Sequence, residues 1–187
     1  MKVKQHLGNL ALQIIPVMIG VYLGFVVSDW SSDRQLRAKT STVKETITAE
    51  VNENKNRVVS ILGYHEMLRD SSRYYLQVKK YQMPSFFRGV NQLTLNNSAF
   101  ETAIQTGLLN ELPFSEIQAL NNVYTNQKSY DSYWNILLSG LITFDITEDE
   151  QSVKKFLTYL SISMNDICIK EQQLVKDYTQ LLNTLQP

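Results

Sequence analysis

The sequence predicts an all-α protein in which an N-terminal transmembrane helix continues into a long helix, packed in an antiparallel, coiled-coil-like helical bundle. Three observations lead to this prediction. The 187 residues include only 7 Gly and 4 Pro, which disfavours a turn-rich β fold. Residues 7–27 carry no charge and are long enough to cross a membrane. Residues 31–80 and 148–185 place apolar side chains at helical spacing.

Composition and charge exclude some classes of function. Lys and Arg together number 18, as do Asp and Glu, so the formal net charge is zero. A neutral chain lacks the basic field that nucleic-acid binding requires, and no nucleic-acid partner is expected. The single cysteine, Cys168, excludes an internal disulfide and is interpreted as a small buried apolar residue.

Residues 1–30 are interpreted as a short basic tail followed by a transmembrane helix. Lys2 and Lys4 precede the apolar run, and Pro16 lies inside it, where membrane helices tolerate proline. Trp30 lies just past the run, at the expected position of a membrane-interface anchor. A cleaved signal peptide is the main alternative, but the run is long for one and no small-residue cleavage site follows it. A buried helix of a soluble domain is the other alternative.

Gly20 and Gly24 form a G-x-x-x-G pattern in this segment. Small residues at this spacing let two helices approach closely in lipid, so both glycines are predicted to pack against another membrane helix. The alternative is that they only adapt the shape of the helix. The side of the membrane stays open, because the basic residues after the span favour a cytoplasmic bundle and the basic tail resembles an uncleaved export signal.

Residues 31–187 are expected to form the helical bundle. One apolar stripe of the first long helix repeats every eleven residues, at Leu36, Ile47 and Val58, which is typical of a nearly straight packing edge. A second stripe repeats every seven residues in the last helix and completes the predicted bundle seam, at Leu160, Ile167, Leu174 and Leu181. The predicted elements are a long helix at about 31–80, a loop at 82–97, a short helix at 99–106, a helix at 116–140 and a long helix at 148–185.

A few polar residues interrupt these stripes. Asn54 and His65 are in register with the early stripe, and Glu171 is the one polar intruder in the late stripe. Glu66 is the only acidic neighbour of His65 along the chain. His65 is therefore interpreted as a packed or half-exposed side chain and not as a metal ligand, since a metal site needs three or four converging ligands.

Helix starts and stops are predicted from local signals. Gly107 is expected to end the short helix, and Phe86 and Phe87 are expected to cover the core from the loop. The acidic "DITEDE" stretch at 145–150 is interpreted as helix capping, because it lacks the alternating ligands and the glycine of a calcium loop. Three capping boxes are predicted, at Ser98-x-x-Glu101, Ser115-x-x-Gln118 and Thr147-x-x-Glu150.

The sequence contains no recognisable catalytic or nucleotide-binding motif. No Walker, Rossmann, zinc-protease, C-x-x-C or nucleophile-elbow pattern occurs. With two histidines and one cysteine, few combinations of nucleophile and base are available. We therefore assign no catalytic residue, metal ligand, cofactor or small-molecule substrate, and expect a protein that is not an enzyme.

Two stretches resemble an uncharacterised family of bacterial single-span membrane proteins. The first is "IGVYLGFVV" followed by "SDWSSDRQ", which is similar to the family's span and its step into a long charged helix. The second is "NNSAFETAIQTGLLNELPFSEIQALNNVYTNQKSY". Asp29 stands where the family commonly has Asn, and Ser31 and Ser32 depart from its usual Asn-Glu. The resemblance implies a membrane-anchored helical domain, extracytoplasmic (periplasmic), and carries no known activity.

These observations predict an interaction or scaffold protein that contacts membrane lipid and works through self-association or as a subunit of a membrane complex. The alternative is an oligomeric membrane effector or small pore gated by the helical domain, in which Gln13 would line the pathway. An enzyme of unrecognised type is the third alternative.

Overall fold

The computed structural model describes residues 2–144, 147 and 149–185, and the side chains from residue 14 onward. This part of the chain contains helices and no β-strand, so the all-α prediction is confirmed. Its elements are helix α1 (Lys2–Gln77), helix α2 (Ser98–Gln105), a 3₁₀ turn (Leu108–Glu111), helix α3 (Phe114–Ile142) and helix α4 (Glu150–Leu185).

The chain divides into two compact units, Met1–Thr42 and Val43–Pro187. Helix α1 is continuous from Lys2 to Gln77, so the apolar N-terminal residues and the long helix predicted after them belong to one element. In the first unit, α1 is the only described element, and its side chains from residue 14 to residue 39 are all exposed.

In the second unit, α4 runs antiparallel to both α1 and α3. Glu66 and Arg73 of α1 are hydrogen-bonded to Gln172 and Asn165 of α4, so positions rise along one helix as they fall along the other. The same crossing order holds between α3 and α4, where Tyr130 and Tyr133 reach progressively earlier residues of α4. The predicted antiparallel packing of the early and late long helices is therefore confirmed.

The residues of the predicted seam fall into two groups. Six of them are buried, with exposed fractions of 1% or less: Ile47, Val58, Leu160, Ile167, Leu174 and Leu181. Leu36 differs, because 37% of its surface is exposed. It lies in the first unit, where the side chains from residue 14 to residue 39 are exposed, so the eleven-residue spacing alone was not sufficient to predict its burial.

Three helix starts differ from the predicted capping boxes. Asn97, and not Ser98, precedes α2, and its side-chain amide donates to Glu101 Oε1 at 2.6 Å. Pro113 precedes α3 without any side-chain cap, so Ser115 is already helical. Asp149 replaces Thr147 at the start of α4, because its Oδ1 accepts the amide hydrogens of Gln151 and Ser152, each at 3.0 Å.

The ends of the elements lie close to the predicted positions. Helix α1 ends at Gln77 instead of near residue 80, and α3 extends two residues beyond the predicted helix at each end. The start predicted for the last helix, residue 148, lies outside the described residues. Gly107 has φ 74°, which is the left-handed conformation expected of a glycine that ends a helix, so its predicted role is confirmed.

Residues 78–97 form an irregular segment, called the strap here, that returns along α1 in the opposite direction. The hydroxyl of Tyr64 donates to the Gly89 carbonyl at 2.6 Å, and Arg57 Nη1 donates to the Thr94 carbonyl at 3.2 Å. Gly89 has φ 89°, a conformation that other residues rarely adopt. The strap therefore lies on α1 with its backbone hydrogen-bonded to side chains of that helix.

The two phenylalanines of the strap pack as expected. Phe86 makes an edge-on contact with Tyr75, and Phe87 makes one with Phe156, both with ring centroids 5.1 Å apart. Both phenylalanines are half-buried against the core. The interpretation of Phe86 and Phe87 as core-covering aromatics is confirmed.

Candidate functional site

The first candidate site is the apolar segment, defined here as residues 14–27 of α1. Its large apolar side chains are 45% to 68% exposed. Helix α1 is long and apolar enough here to cross a membrane, by length and composition alone, and none of the apolar window is buried inside the structure. A contiguous apolar surface of this kind is typical of a binding or membrane face.

Gly20 and Gly24 lie on one face of the apolar segment. A Cβ atom built on either glycine would meet nothing within 4 Å. Residues four apart lie one above the other on a helix, so the two glycines form one shallow, open surface. The geometry permits close approach by another helix. Gln13, the predicted pore-lining residue, lies outside the residues whose side chains are described.

Trp30 follows the apolar segment and is 64% exposed. The guanidinium carbon of Arg34 lies 5.9 Å from the centroid of its ring, which is a cation–π contact. An indole ring at the end of an apolar helix suits the boundary between lipid and water. The position of Trp30 is compatible with the predicted interface anchor.

The second candidate site is a buried pair, His65 and Glu171, in the bundle. Both side chains are fully buried, and His65 Nδ1 shares a hydrogen bond with Glu171 Oε1 at 2.7 Å. His65 Nε2 donates to the Val90 carbonyl at 2.9 Å, because a carbonyl only accepts. The Tyr130 hydroxyl donates to the same Glu171 oxygen at 2.8 Å.

Mutual hydrogen bonding reduces the cost of burying these two ionisable groups together. Both ring nitrogens of His65 have partners, and Glu171 Oε1 has two, His65 and Tyr130.

The sequence did not reveal the partner of His65. Glu66, its acidic neighbour along the chain, instead accepts a hydrogen bond from Gln172 at 3.0 Å. Glu171 approaches from α4, 106 residues later in the chain. The available signal was that each residue interrupts an apolar stripe, since two such interruptions on packed helices are expected to meet.

Asn54 binds the C-terminal end of the strap. Its Nδ2 donates to the Asn96 carbonyl at 2.6 Å, and its Oδ1 accepts the Asn96 amide hydrogen at 2.9 Å. Gln127 Nε2 donates to the same carbonyl at 3.0 Å, and the Tyr178 hydroxyl donates to Gln127 Oε1 at 2.8 Å. Side chains from α1 and α3 thus bind one backbone unit of the strap, and Tyr178 of α4 holds Gln127 in place.

Glu50 holds the start of α2. Its Oε2 accepts hydrogen bonds from the Ala99 amide at 2.8 Å and the Ser98 hydroxyl at 3.1 Å, and its Oε1 accepts the Tyr124 hydroxyl hydrogen at 2.6 Å. A carboxylate at a helix N-terminus is favoured by the exposed amide hydrogens and the helix dipole. Helix α2 is therefore capped by a side chain of α1.

Burial raises the pKa values of the buried hydroxyl and thiol groups. The pKa values of Tyr124, Tyr130 and Tyr178 are raised well above the ordinary value, chiefly because burial disfavours the phenolate. Burial likewise raises the pKa of the Cys168 thiol to about 11. A thiol with this pKa holds little thiolate near neutral pH.

The remaining buried polar atoms lie in the core of the bundle. Among the described side chains, no group of three or more His, Cys, Asp or Glu residues is placed to hold a metal ion. Glu116 Oε2, Trp134 Nε1 and Glu171 Oε2 are buried and make no hydrogen bond of regular geometry within this part of the chain. The polar residues of the core connect α1, the strap and α2, and this arrangement serves the architecture of the bundle.

The bundle also exposes isolated large apolar side chains on its outer helices. Ile162 and Ile169 are 59% and 58% exposed, and their spacing of seven places them on one face of α4. Ile136 of α3 is 68% exposed. Such residues are available for contacts with other proteins.

Comparisons with known proteins assign no role to these sites. The chain matches no protein-family model, no curated protein and no solved structure.

Proposed function

We propose that this chain is a membrane-anchored helical interaction protein, which self-associates or forms part of a membrane complex. The apolar segment is the observation that carries the proposal. Its side chains are exposed throughout, and it belongs to the same helix that packs into the bundle. A bilayer supplies the cover that such a segment requires.

The bundle supports a binding role more than a catalytic one. Its buried ionisable groups are engaged with the strap and with α2, and Cys168 is buried. A rigid helical domain held by internal hydrogen bonds presents stable outer faces to a partner. In this proposal the bundle lies on the extracytoplasmic side of the membrane, as the resemblance to single-span proteins implies.

Self-association is proposed to use the face formed by Gly20 and Gly24. The open surface over both glycines lets a second helix approach closely, and dispersion contacts and interhelical hydrogen bonds then stabilise the pair. A second copy of the same segment is the partner with matching geometry, because small residues would meet small residues across a two-fold axis.

Membrane anchoring is tested by extracting membranes that contain the full chain with alkaline carbonate. An anchored protein stays in the pellet, whereas a protein held by surface contacts is released. Protease or labelling access to a tag at each terminus then identifies the side on which the bundle lies. Recovery of the chain in the carbonate supernatant would contradict the proposal.

Self-association is tested by sedimentation of the detergent-solubilised chain. Gly20→Leu with Gly24→Leu is expected to dissociate the oligomer, because two bulky side chains fill the close-contact face. The matched control is Tyr22→Leu with Val26→Leu, which has the same spacing on a face roughly 160° away and is expected to leave the oligomer intact.

A monomeric native chain that captures no partner would refute this proposed function. Ion conductance by the reconstituted chain, abolished by Gln13→Leu, would support the pore alternative instead.

A further inference from the structure

A second surface of α1 lies just after the apolar segment. It is called the headgroup face here and is formed by Trp30, Arg34 and Arg37. These positions are spaced by four and three residues, so they lie on one side of α1. Together with Asp33 they line a surface depression of about 300 Å³. The cation–π contact between Arg34 and Trp30 holds one guanidinium close to the ring.

We propose that the headgroup face binds the phosphate of an anionic membrane phospholipid. This inference rests on the proposed membrane anchoring, because it requires the headgroup face to lie at the lipid–water boundary. A guanidinium donates two parallel hydrogen bonds to phosphate oxygens, and Trp rings favour the headgroup layer. Basic residues next to a span add electrostatic attraction to an anionic bilayer surface.

The charges of the headgroup face match a phosphodiester. Neither Arg34 nor Arg37 forms an ion pair with another residue in the described part of the chain. Asp33 is the only acidic residue lining the depression, so the lining carries one net positive charge. A lipid phosphate with a single negative charge and no ammonium group beside it is the complementary ligand.

The headgroup face and the glycine face can act at the same time. At about 100° per residue, the headgroup face is centred roughly 90° around α1 from Gly20 and Gly24. Helices paired through the glycines would therefore leave Trp30, Arg34 and Arg37 in contact with lipid. Lipid binding and self-association are separate properties of one helix.

Tryptophan fluorescence tests the proposal directly. The chain has two Trp residues, and Trp134 is fully buried, so Trp134→Phe leaves Trp30 as the reporter. The full chain is reconstituted in phosphatidylcholine vesicles that contain the same fraction of brominated phosphatidylglycerol or brominated phosphatidylcholine. We expect the brominated phosphatidylglycerol to be enriched at Trp30 about fivefold for each arginine that binds it.

Arg37→Gln and Lys39→Gln each remove one positive charge, so a comparison of the two identifies the residues responsible. Arg37→Gln is expected to reduce the preference for phosphatidylglycerol severalfold, and Arg34→Gln with Arg37→Gln is expected to abolish it. Lys39→Gln also removes one positive charge but lies on the opposite side of α1, so it is expected to retain the preference. An equal loss in Lys39→Gln would overturn the proposal in favour of diffuse electrostatic attraction.

The controls separate the possible failures. If the Trp134→Phe chain is unfolded by circular dichroism, the native chain replaces it, because buried Trp134 is not accessible to lipid bromine. Quenching by neither lipid would refute membrane anchoring itself, whereas equal quenching by both would refute only the headgroup site. Loss of the preference on adding inorganic phosphate at constant ionic strength would assign the face to free phosphate and overturn the lipid assignment.

Discussion

His65 and Glu171 show how single polar residues determine the packing of this core. The two side chains are hydrogen-bonded to each other, and His65 also supplies the donor for the Val90 carbonyl of the strap. A buried pair of this kind contributes little net stability compared with apolar residues of the same size, but the loss of one member strands the other. The costs of replacing the two residues are therefore expected not to add.

His65→Leu is expected to lower the free energy of unfolding by about 3–5 kcal/mol, because Glu171 is left buried without its partner. Glu171→Leu is expected to cost a similar amount. The double substitution is expected to cost clearly less than the sum of the two. Urea titration of the full chain in detergent, followed by Trp134 fluorescence in a Trp30→Phe background, measures the cycle. Additive costs would show that the two side chains are not coupled.

Gly140 is a residue at which even a methyl group is excluded. A Cβ built there would lie 2.7 Å from Cζ of Tyr159, whose hydroxyl donates to the Leu137 carbonyl at 2.8 Å. We expect Gly140→Ala to lower the free energy of unfolding by about 1–3 kcal/mol, as overpacking does. The measurement is the same urea titration.

Gly63→Ala is the matched control for this substitution. Gly63 is also helical, and a Cβ there would meet nothing within 4 Å. The alanine is therefore expected to raise stability by about 0.5–1 kcal/mol through its higher helix propensity. If both substitutions changed stability in the same direction, the clash with Tyr159 would not be the cause.

At the scale of elements, the strap explains why α1 carries polar residues within its buried face. An irregular segment against a core exposes backbone donors and acceptors, and each must find a partner. Asn54 and His65, both fully buried, supply such partners to Asn96 and Val90 of the strap. The polar interruptions of the apolar stripe are therefore the binding positions of the strap.

Asn54→Leu is expected to release the strap near Asn96 while keeping side-chain volume nearly constant. The Asn96 amide loses its acceptor, so its hydrogen exchange should become faster and proteases should cut more readily within residues 78–97. Asn52→Leu, on the exposed side of the same helix, is the control and is expected to change neither. Unaltered exchange in Asn54→Leu would mean that Gln127 alone secures this end.

The helices and the glycine that ends α2 were predictable from sequence, whereas the N-terminal caps and the contacts of the strap were not. Periodicity identifies a long helix because many positions report it together. A cap depends on one or two residues. Asn97 and Ser98 are neighbours and both residue types favour the cap position, so the sequence did not distinguish them. The strap has no periodicity, and its position depends on side chains such as Asn54 that lie 42 residues away in sequence. Local patterns can mark such a side chain as unusual, but they do not identify its distant partner.

At the scale of the whole molecule, the buried tyrosines are expected to make the bundle less stable at alkaline pH. Tyr124, Tyr130 and Tyr178 all have pKa values raised above the ordinary value of 10. Their neutral forms are favoured in the folded state, so this contribution to stability is complete below pH 10. It is lost as pH rises above 10, because the unfolded chain then releases protons that the folded chain retains.

We expect each of these three tyrosines to lower the free energy of unfolding by about 1.4 kcal/mol for every pH unit above 10. Absorbance of tyrosinate near 295 nm should show the three buried tyrosines ionising together with unfolding. Tyr130→Phe is expected to reduce the pH slope, whereas Tyr74→Phe, at a position 59% exposed, is expected to leave it unchanged. Ionisation of the buried tyrosines in a folded chain would contradict this.

The candidate sites differ in how far sequence could predict them. Residues 7–27 were identifiable because absence of charge is a local property. The buried pair required knowledge that α1 and α4 cross at His65 and Glu171, which no pattern within either helix contains. The class of fold and the location of the apolar segment are thus recoverable from sequence, and the polar contacts of the core are not.

The separation between His65 and Glu171 also has a consequence for biosynthesis. The first member of the pair leaves the ribosome 106 residues before the second. At a translation rate of about 5–20 residues per second, roughly 5–20 s pass before the partner helix α4 is synthesised, and the apolar edge of α1 stays uncovered during that time. We expect nascent chains arrested before residue 171 to bind chaperones or the membrane through that edge, and chains extended well past it to resist protease.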